Sequence, residues 1–143
     1  ASTNPKISGA LLYVPAIRTM MSKMDLLQLY LGAPFVKEIA RDSLDGSDLW
    51  QGYAGLPLKG VIQFLRFQRA TIKRLSHIHQ PILIFQGRQD LTVAPEAGEI
   101  IMNGVSSEIK EHHWMEFSSH SILLDEEYED IARLSVEFIE RNT

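Results

Sequence analysis

Two strand-length runs of almost unbroken apolar residues constrain the fold of this chain more than any other feature. Residues 7–14 read ISGALLYV and are closed by Pro15; residues 82–86 read ILIFQ, follow Pro81 and are stopped by Gly87. A strand with one face in water alternates polar and apolar positions. Continuous apolar strands therefore call for a sheet covered on both faces, the usual state of a parallel sheet flanked by helices. Residues 109–117 (IKEHHWMEF) form a third, more polar candidate, expected nearer a sheet edge.

Helical periodicity fills the intervals. Residues 59–75 place Val61, Ile62, Leu65, Ile72 and Leu75 at helical spacing, with Pro57 near the start. Residues 96–103 open after Pro95 and stop at Gly104, a proline-to-glycine order typical of a helix. Residues 126–141 carry Tyr128, Ile131, Leu134, Phe138 and Ile139 on one face, with Asp125 as the expected N-cap. Alternating strands and helices predict the α/β class, with right-handed crossovers making the strands parallel.

Residues 18–57 interrupt that rhythm. Short helical pieces are predicted over 21–31 and 35–40, followed by a polar stretch over 42–48 and then Trp50 and Tyr53. Two readings stand open: a cap or lid inserted over a site, or connecting helices packed on the sheet. The length of 143 residues suits a single domain with a real core. The 7–14 strand is too apolar for an exposed edge, so a neighbour is expected on its other side. No segment of the chain reads as that neighbour. The chain also enters this strand within six residues, with neither an initiator Met nor a signal-peptide pattern, so the sheet is expected to be truncated.

Composition removes several functional classes. A hydrophobic content of 45% with 22% charged residues is that of a soluble globular protein. The net charge of -4 lacks the basic footprint of nucleic-acid binding. No apolar run approaches the ~18 residues of a membrane span, and the missing signal pattern gives a cytoplasmic expectation. Zero cysteines exclude disulfides, thiolate metal sites and thiol nucleophiles. Gly-rich phosphate loops are absent, and no cofactor is expected. His77-Ile-His79 and His112-His113 raise metal ligation, but the first pair precedes Pro81 at the amino end of a strand and lacks a clear third ligand, so no metal site is expected. Arg66, Arg69, Lys73 and Arg74 form a basic run on one helix, read as a solvated face or as a patch for phosphate or an acidic partner.

The chemistry gathers beyond two strand ends. Asp90 lies four residues past Gln86, and His120 lies in Ser118-Ser119-His120-Ser121, shortly past the third strand. Parallel α/β sheets place their reactive groups beyond the carboxyl ends of the strands. The 29 intervening residues hold one helix and one strand, the content of a single crossover. Adjacent strands about 4.8 Å apart would bring both loops to one sheet edge. A carboxylate and an imidazole so placed are the orienting acid and general base of nucleophilic catalysis. Taken singly, each has an ordinary reading, Asp90 as a turn former or cap and His120 as a solvated loop residue.

Pro81-Ile-Leu-Ile-Phe-Gln-Gly-Arg-Gln-Asp90-Leu-Thr-Val93, followed by Trp114-Met-Glu-Phe-Ser-Ser-His120-Ser-Ile-Leu-Leu-Asp125, resembles the C-terminal half of an α/β-hydrolase. It is most similar to bacterial carboxylesterases and monoacylglycerol-lipase-like enzymes. The resemblance runs from Ile7, similar to the strand after the nucleophile helix, to the chain end. It implies that Asp90 and His120 are the acid and base of a Ser-His-Asp triad acting on a small ester substrate. It also implies a lid, with Trp50, Tyr53 and Leu56 lining an acyl pocket or, alternatively, anchoring the cap helices.

The sequence departs from the family at Ser119, where Gly often precedes the His, and at Pro95, one position later than the usual pattern. Neither change removes chemistry. A larger departure is that no G-x-S-x-G nucleophile elbow occurs. The nearest fragment, Gly104-Val-Ser106-Ser-Glu108, falls at a helix end, and Ser118, Ser119 and Ser121 lie too close to His120 in sequence. The serine and the oxyanion hole are therefore expected upstream or on a partner chain. The alternative is a hydrolase-like domain kept for binding without catalysis.

Overall fold

A computed structural model describes residues 4, 6–40 and 55–142. The chain forms β1 (Ala10–Tyr13), α1 (Lys23–Gly32), β2 (Glu38–Ala40), β3 (Gly55–Pro57), α2 (Leu58–Ile72), β4 (Ile82–Gly87), α3 (Ala97–Gly104), β5 (Lys110–Met115) and α4 (Tyr128–Asn142). A 3-10 turn at Leu75–His77 follows α2.

The main sheet has the order β1-β4-β5, with both pairings parallel. Every residue of β4 is buried, which is why this segment is an uninterrupted apolar run closed by Gln86 and Gly87. The more polar β5 lies at one edge. The register aligns Tyr13, Phe85 and His113 as one row across the sheet. Their rings stack with both centroid separations at 5.6 Å, and the Tyr13 hydroxyl reaches Ser135 of α4 at 2.9 Å. Leu12, Ile84 and His112 form the neighbouring row and point to the opposite face by strand alternation.

The principal core contains Leu83, Ile84, Phe85, Ile101, Ile131 and Phe138. Ile131, Ser135 and Phe138 are the buried positions of α4, spaced as one helical face. Val14, immediately after β1, has φ 46°, a left-handed conformation unusual for a β-branched residue. Among the described residues, β1 pairs only with β4, leaving its outer edge without a strand.

The 18–57 segment departs from expectation in part. α1 forms close to its predicted place and opens with a capping box between Ser22 and Asp25. The piece expected as a helix over 35–40 contains instead β2, paired antiparallel with β3. Six residues are too few to sustain a helix alone, and Val36 and Ile39 are β-branched, so cross-strand pairing satisfies the backbone better. Leu29, Ala33, Leu58 and Leu65 build a second, smaller core between α1 and α2. Asp125 also differs from expectation. The Tyr128 N–H donates to its backbone carbonyl at 3.2 Å, α4 starts later than predicted, and the Asp125 carboxylate accepts from Ser119 rather than capping the helix.

Candidate active site

The parallel register delivers the carboxyl ends of β4 and β5 to the same sheet edge, and the two following loops are bonded together. Arg88 N–H donates to the Met115 carbonyl at 2.8 Å and Gln89 N–H to the Ser118 carbonyl at 3.0 Å. Gly87 permits this approach, since a Cβ there would run into the carbonyl oxygens of both Ser118 and Ser119. Arg88 adds a brace on the outside, with its guanidinium 4.0 Å over the Trp114 ring and 3.3 Å from Glu116.

Asp90 and His120 meet across this junction. His120 Nδ1 lies 3.0 Å from Asp90 Oδ2. The other carboxylate oxygen accepts Thr92 N–H at 2.6 Å and Val93 N–H at 3.0 Å. The Asp90 side chain is 3% exposed and that of His120 21%. Burial by itself would raise the Asp90 pKa. The hydrogen bonds from His120, Val93 and Thr92, helped by the His120 charge, outweigh it and hold the carboxyl below its ordinary value. An ionised carboxylate only accepts, so His120 Nδ1 must carry the proton and donate it. In the neutral ring, Nε2 then holds the lone pair, and among the described residues it has no hydrogen-bond partner.

The loop bearing His120 is held by two carboxylates from the lead-in to α4. Glu127 accepts Glu116 N–H at 3.2 Å, Phe117 N–H at 2.9 Å and the Ser118 hydroxyl at 2.6 Å. Asp125 accepts both the backbone N–H and the hydroxyl of Ser119, at 2.6 and 2.8 Å. These two supports were missed in the sequence. Their signal is the acidic cluster just before a helix, within which cap logic accounts only for Asp125. The same bonds commit the Ser118 and Ser119 hydroxyls elsewhere. Ser106 donates to the Ser76 carbonyl at 2.8 Å, in the segment before β5.

The remaining expected residues fall elsewhere. Leu56 in β3 lines an apolar cavity of about 370 Å3 with Met21, Leu29 and Val61, whose walls include neither Asp90 nor His120. Trp50 and Tyr53 lie outside the described residues. Among the described residues no three His, Asp or Glu side chains converge as a metal site. His113 instead faces Glu111 at 3.3 Å. His112 is packed against Gly98, and among the described residues its Nε2 has no hydrogen-bond partner. Its pKa is lowered, first by burial and then by the His113 and Arg88 charges, against the opposing pull of Glu99. No helix among the described residues is long and apolar enough to cross a membrane.

The model of one protein family, serine aminopeptidase, S33, matches residues 19–127, an interval that contains both Asp90 and His120. The chain belongs to the serine aminopeptidase S33 family. Within that assignment, it is 30% identical to a thermostable monoacylglycerol lipase of Bacillus sp. (strain H-257), over 99% of this chain and 57% of the lipase. A carboxylesterase of Bacillus subtilis (strain 168) is 34% identical over 45% of this chain and 26% of the esterase. Among solved structures, one from the metagenome-derived lipolytic enzymes LipS and LipT superposes with a TM-score of 0.82 at 29% identity, covering 94% of this chain and 55% of that one. The architecture is thus part of an α/β-hydrolase fold, and the chain spans little more than half the length of this lipase and this solved structure.

Proposed function

We propose that Asp90 and His120 are the acid and base of a Ser-His-Asp triad in a carboxylic ester hydrolase of the esterase or lipase type. The serine and the oxyanion-hole donors would come from an upstream segment or a partner chain. The observation carrying this reading is the 3.0 Å pair between Asp90 Oδ2 and His120 Nδ1 at the carboxyl edge of the sheet, with Nε2 unpartnered among the described residues. The family and the ester-hydrolysing relatives support it.

In the proposed mechanism, His120 Nε2 removes the proton of the serine hydroxyl as its oxygen attacks the ester carbonyl. Asp90 stabilises the imidazolium that forms and keeps the ring in the tautomer that leaves Nε2 basic. His120 then returns the proton to the departing alcohol. It next takes a proton from water, whose oxygen releases the acyl group as a carboxylic acid and regenerates the serine. The substrate is a small ester, and Trp50 and Tyr53 are proposed to contribute to its acyl pocket from a cap over residues 18–57, whereas Leu56 faces the separate cavity beside α1 and α2 and fits the alternative of anchoring the cap.

The experiment is hydrolysis of a short-chain p-nitrophenyl ester by a polypeptide that joins residues 1–143 to the serine-bearing segment. His120→Ala is expected to lower kcat by at least about a thousandfold, the scale of losing a triad base. Undiminished turnover in that variant would refute the assignment. A folded wild-type protein without turnover would instead favour the non-catalytic binding domain.

A further inference from the structure

The basic run on α2 gains a second element in the folded chain. A cavity of about 570 Å3, within the size range of small-ligand sites, lies between the segment after β1, helices α1 and α2, and the approach to α3. Met20, Met21, Leu65 and Ile72 contribute apolar wall, and Arg18 and Arg69 are the two basic residues that line the same space. Both arginines are exposed, and among the described residues neither forms an ion pair.

A solvated helix face accounts for Arg66, Lys73 and Arg74, none of which lines the cavity. It does not account for Arg18, which arrives from a segment 51 positions earlier than Arg69. Residues 59–74 hold five cations (Lys59, Arg66, Arg69, Lys73 and Arg74) and no carboxylate, in a chain whose 18 acidic residues outnumber its 14 basic ones. Positive potential is therefore concentrated at this helix. At the cavity itself, Glu96 offsets one of the two arginines, leaving a local charge suited to a monoanion.

The frame around the cavity is tied down. Buried Gln68 donates from its amide to the Ala16 carbonyl at 2.6 Å, Ala94 N–H donates to the Arg18 carbonyl at 2.9 Å, and Thr19 bridges to Val93. These bonds fix the backbone from which Arg18 projects and the helix face beside Arg69.

We propose that this cavity binds a long-chain carboxylate, with the alkyl chain against the methionines, Leu65 and Ile72 and the headgroup between Arg18 and Arg69. Guanidinium forks match the planar carboxylate, whereas an uncharged alcohol of the same length gains only the apolar contacts. The cavity walls include neither Asp90 nor His120, so binding here is separable from ester hydrolysis.

The test uses the 143-residue chain and dodecanoate below its micellar concentration. Isothermal titration gives the affinity, and amide chemical shifts give the location. One saturable site is expected, with shifts at Met20, Met21 and Leu65. Arg18→Gln and Arg69→Gln should each weaken binding about tenfold while leaving the thermal unfolding curve in place, because both side chains are exposed. Dodecan-1-ol should bind at least about tenfold more weakly, and acetate should not saturate. Absence of dodecanoate binding, equal affinity for dodecanol, parent-like affinity in both variants, or shifts centred on Ala10, Phe64 and Ile78 of a separate apolar cavity would each overturn the proposal. None of these results depends on turnover, so they leave the hydrolase reading to its own experiment.

Discussion

Replacing Gly87 with Ala perturbs the junction that brings Asp90 to His120. The new Cβ would collide with the Ser118 and Ser119 carbonyl oxygens and lie 2.7 Å from the Ser118 carbonyl carbon. These are backbone atoms, so no side-chain rotation relieves the overlap, and the His120 loop must retreat from β4. Retreat breaks the Gln89-to-Ser118 hydrogen bond of 3.0 Å and disturbs the Arg88-to-Met115 bond of 2.8 Å. Two such bonds at ~1 kcal/mol each, with ~1–3 kcal/mol for residual overpacking, give an expected loss of about 3–5 kcal/mol. With a urea m-value of ~2 kcal/mol per M, the unfolding midpoint should fall by about 1.5–2.5 M. The same retreat lengthens the Asp90–His120 hydrogen bond, so the His120 Nδ1 proton should exchange faster in nitrogen-resolved NMR. Gly60→Ala is the control: Gly60 is exposed in α2, and its Cβ would meet only Pro57 side-chain atoms, the nearer at 3.2 Å. That change should be neutral or stabilising by up to ~1 kcal/mol. A Gly87→Ala chain with the parent midpoint and a protected Nδ1 proton would refute the close-approach reasoning.

Three further outcomes follow from the same geometry. Glu127→Gln replaces one carboxylate oxygen with an amide donor where three donors converge, and should cost about 1–2 kcal/mol in urea unfolding, with faster exchange of the Glu116 and Phe117 amides. His112 has a folded pKa below its unfolded value of 6.5, so its contribution to stability is present above pH 6.5 and is lost as pH falls through the folded value; His112→Phe should remove that part of the pH dependence in unfolding midpoints measured across acid pH. Asp90 contributes stability above its unfolded pKa of 3.8 that is lost as pH falls through its lower folded value, and Asp90→Asn should abolish this step. The Asn amide would also donate to His120 Nδ1, moving the ring proton to Nε2, a tautomer change that ring nitrogen shifts detect.

The limits of sequence reading are visible in particular residues. Local pattern was enough for β4, because a strand buried on both faces has no freedom to include polar residues before its end. It was also enough for α4, whose buried Ile131 and Phe138 repeat at helical spacing. It failed over 35–40, because six residues hold too little periodic information and the choice of strand depended on a partner at Gly55–Pro57, outside any local window. Asp125 failed for a related reason: a carboxylate before a helix satisfies local cap logic, and only the folded loop shows Ser119 as its partner.

For the candidate site, sequence alone picked out the two residues proposed to carry the chemistry. The types of Asp90 and His120, and their positions beyond two strands one crossover apart, follow from apolar run lengths and punctuation by proline and glycine. Tertiary structure alone decided that these side chains meet at 3.0 Å, that Nδ1 must donate, and that the nearby Ser118 and Ser119 hydroxyls are already committed. The physical reason is range. Periodicity and caps are set within a few residues along the chain, whereas a hydrogen bond across 30 positions depends on sheet register and on the close approach that Gly87 permits.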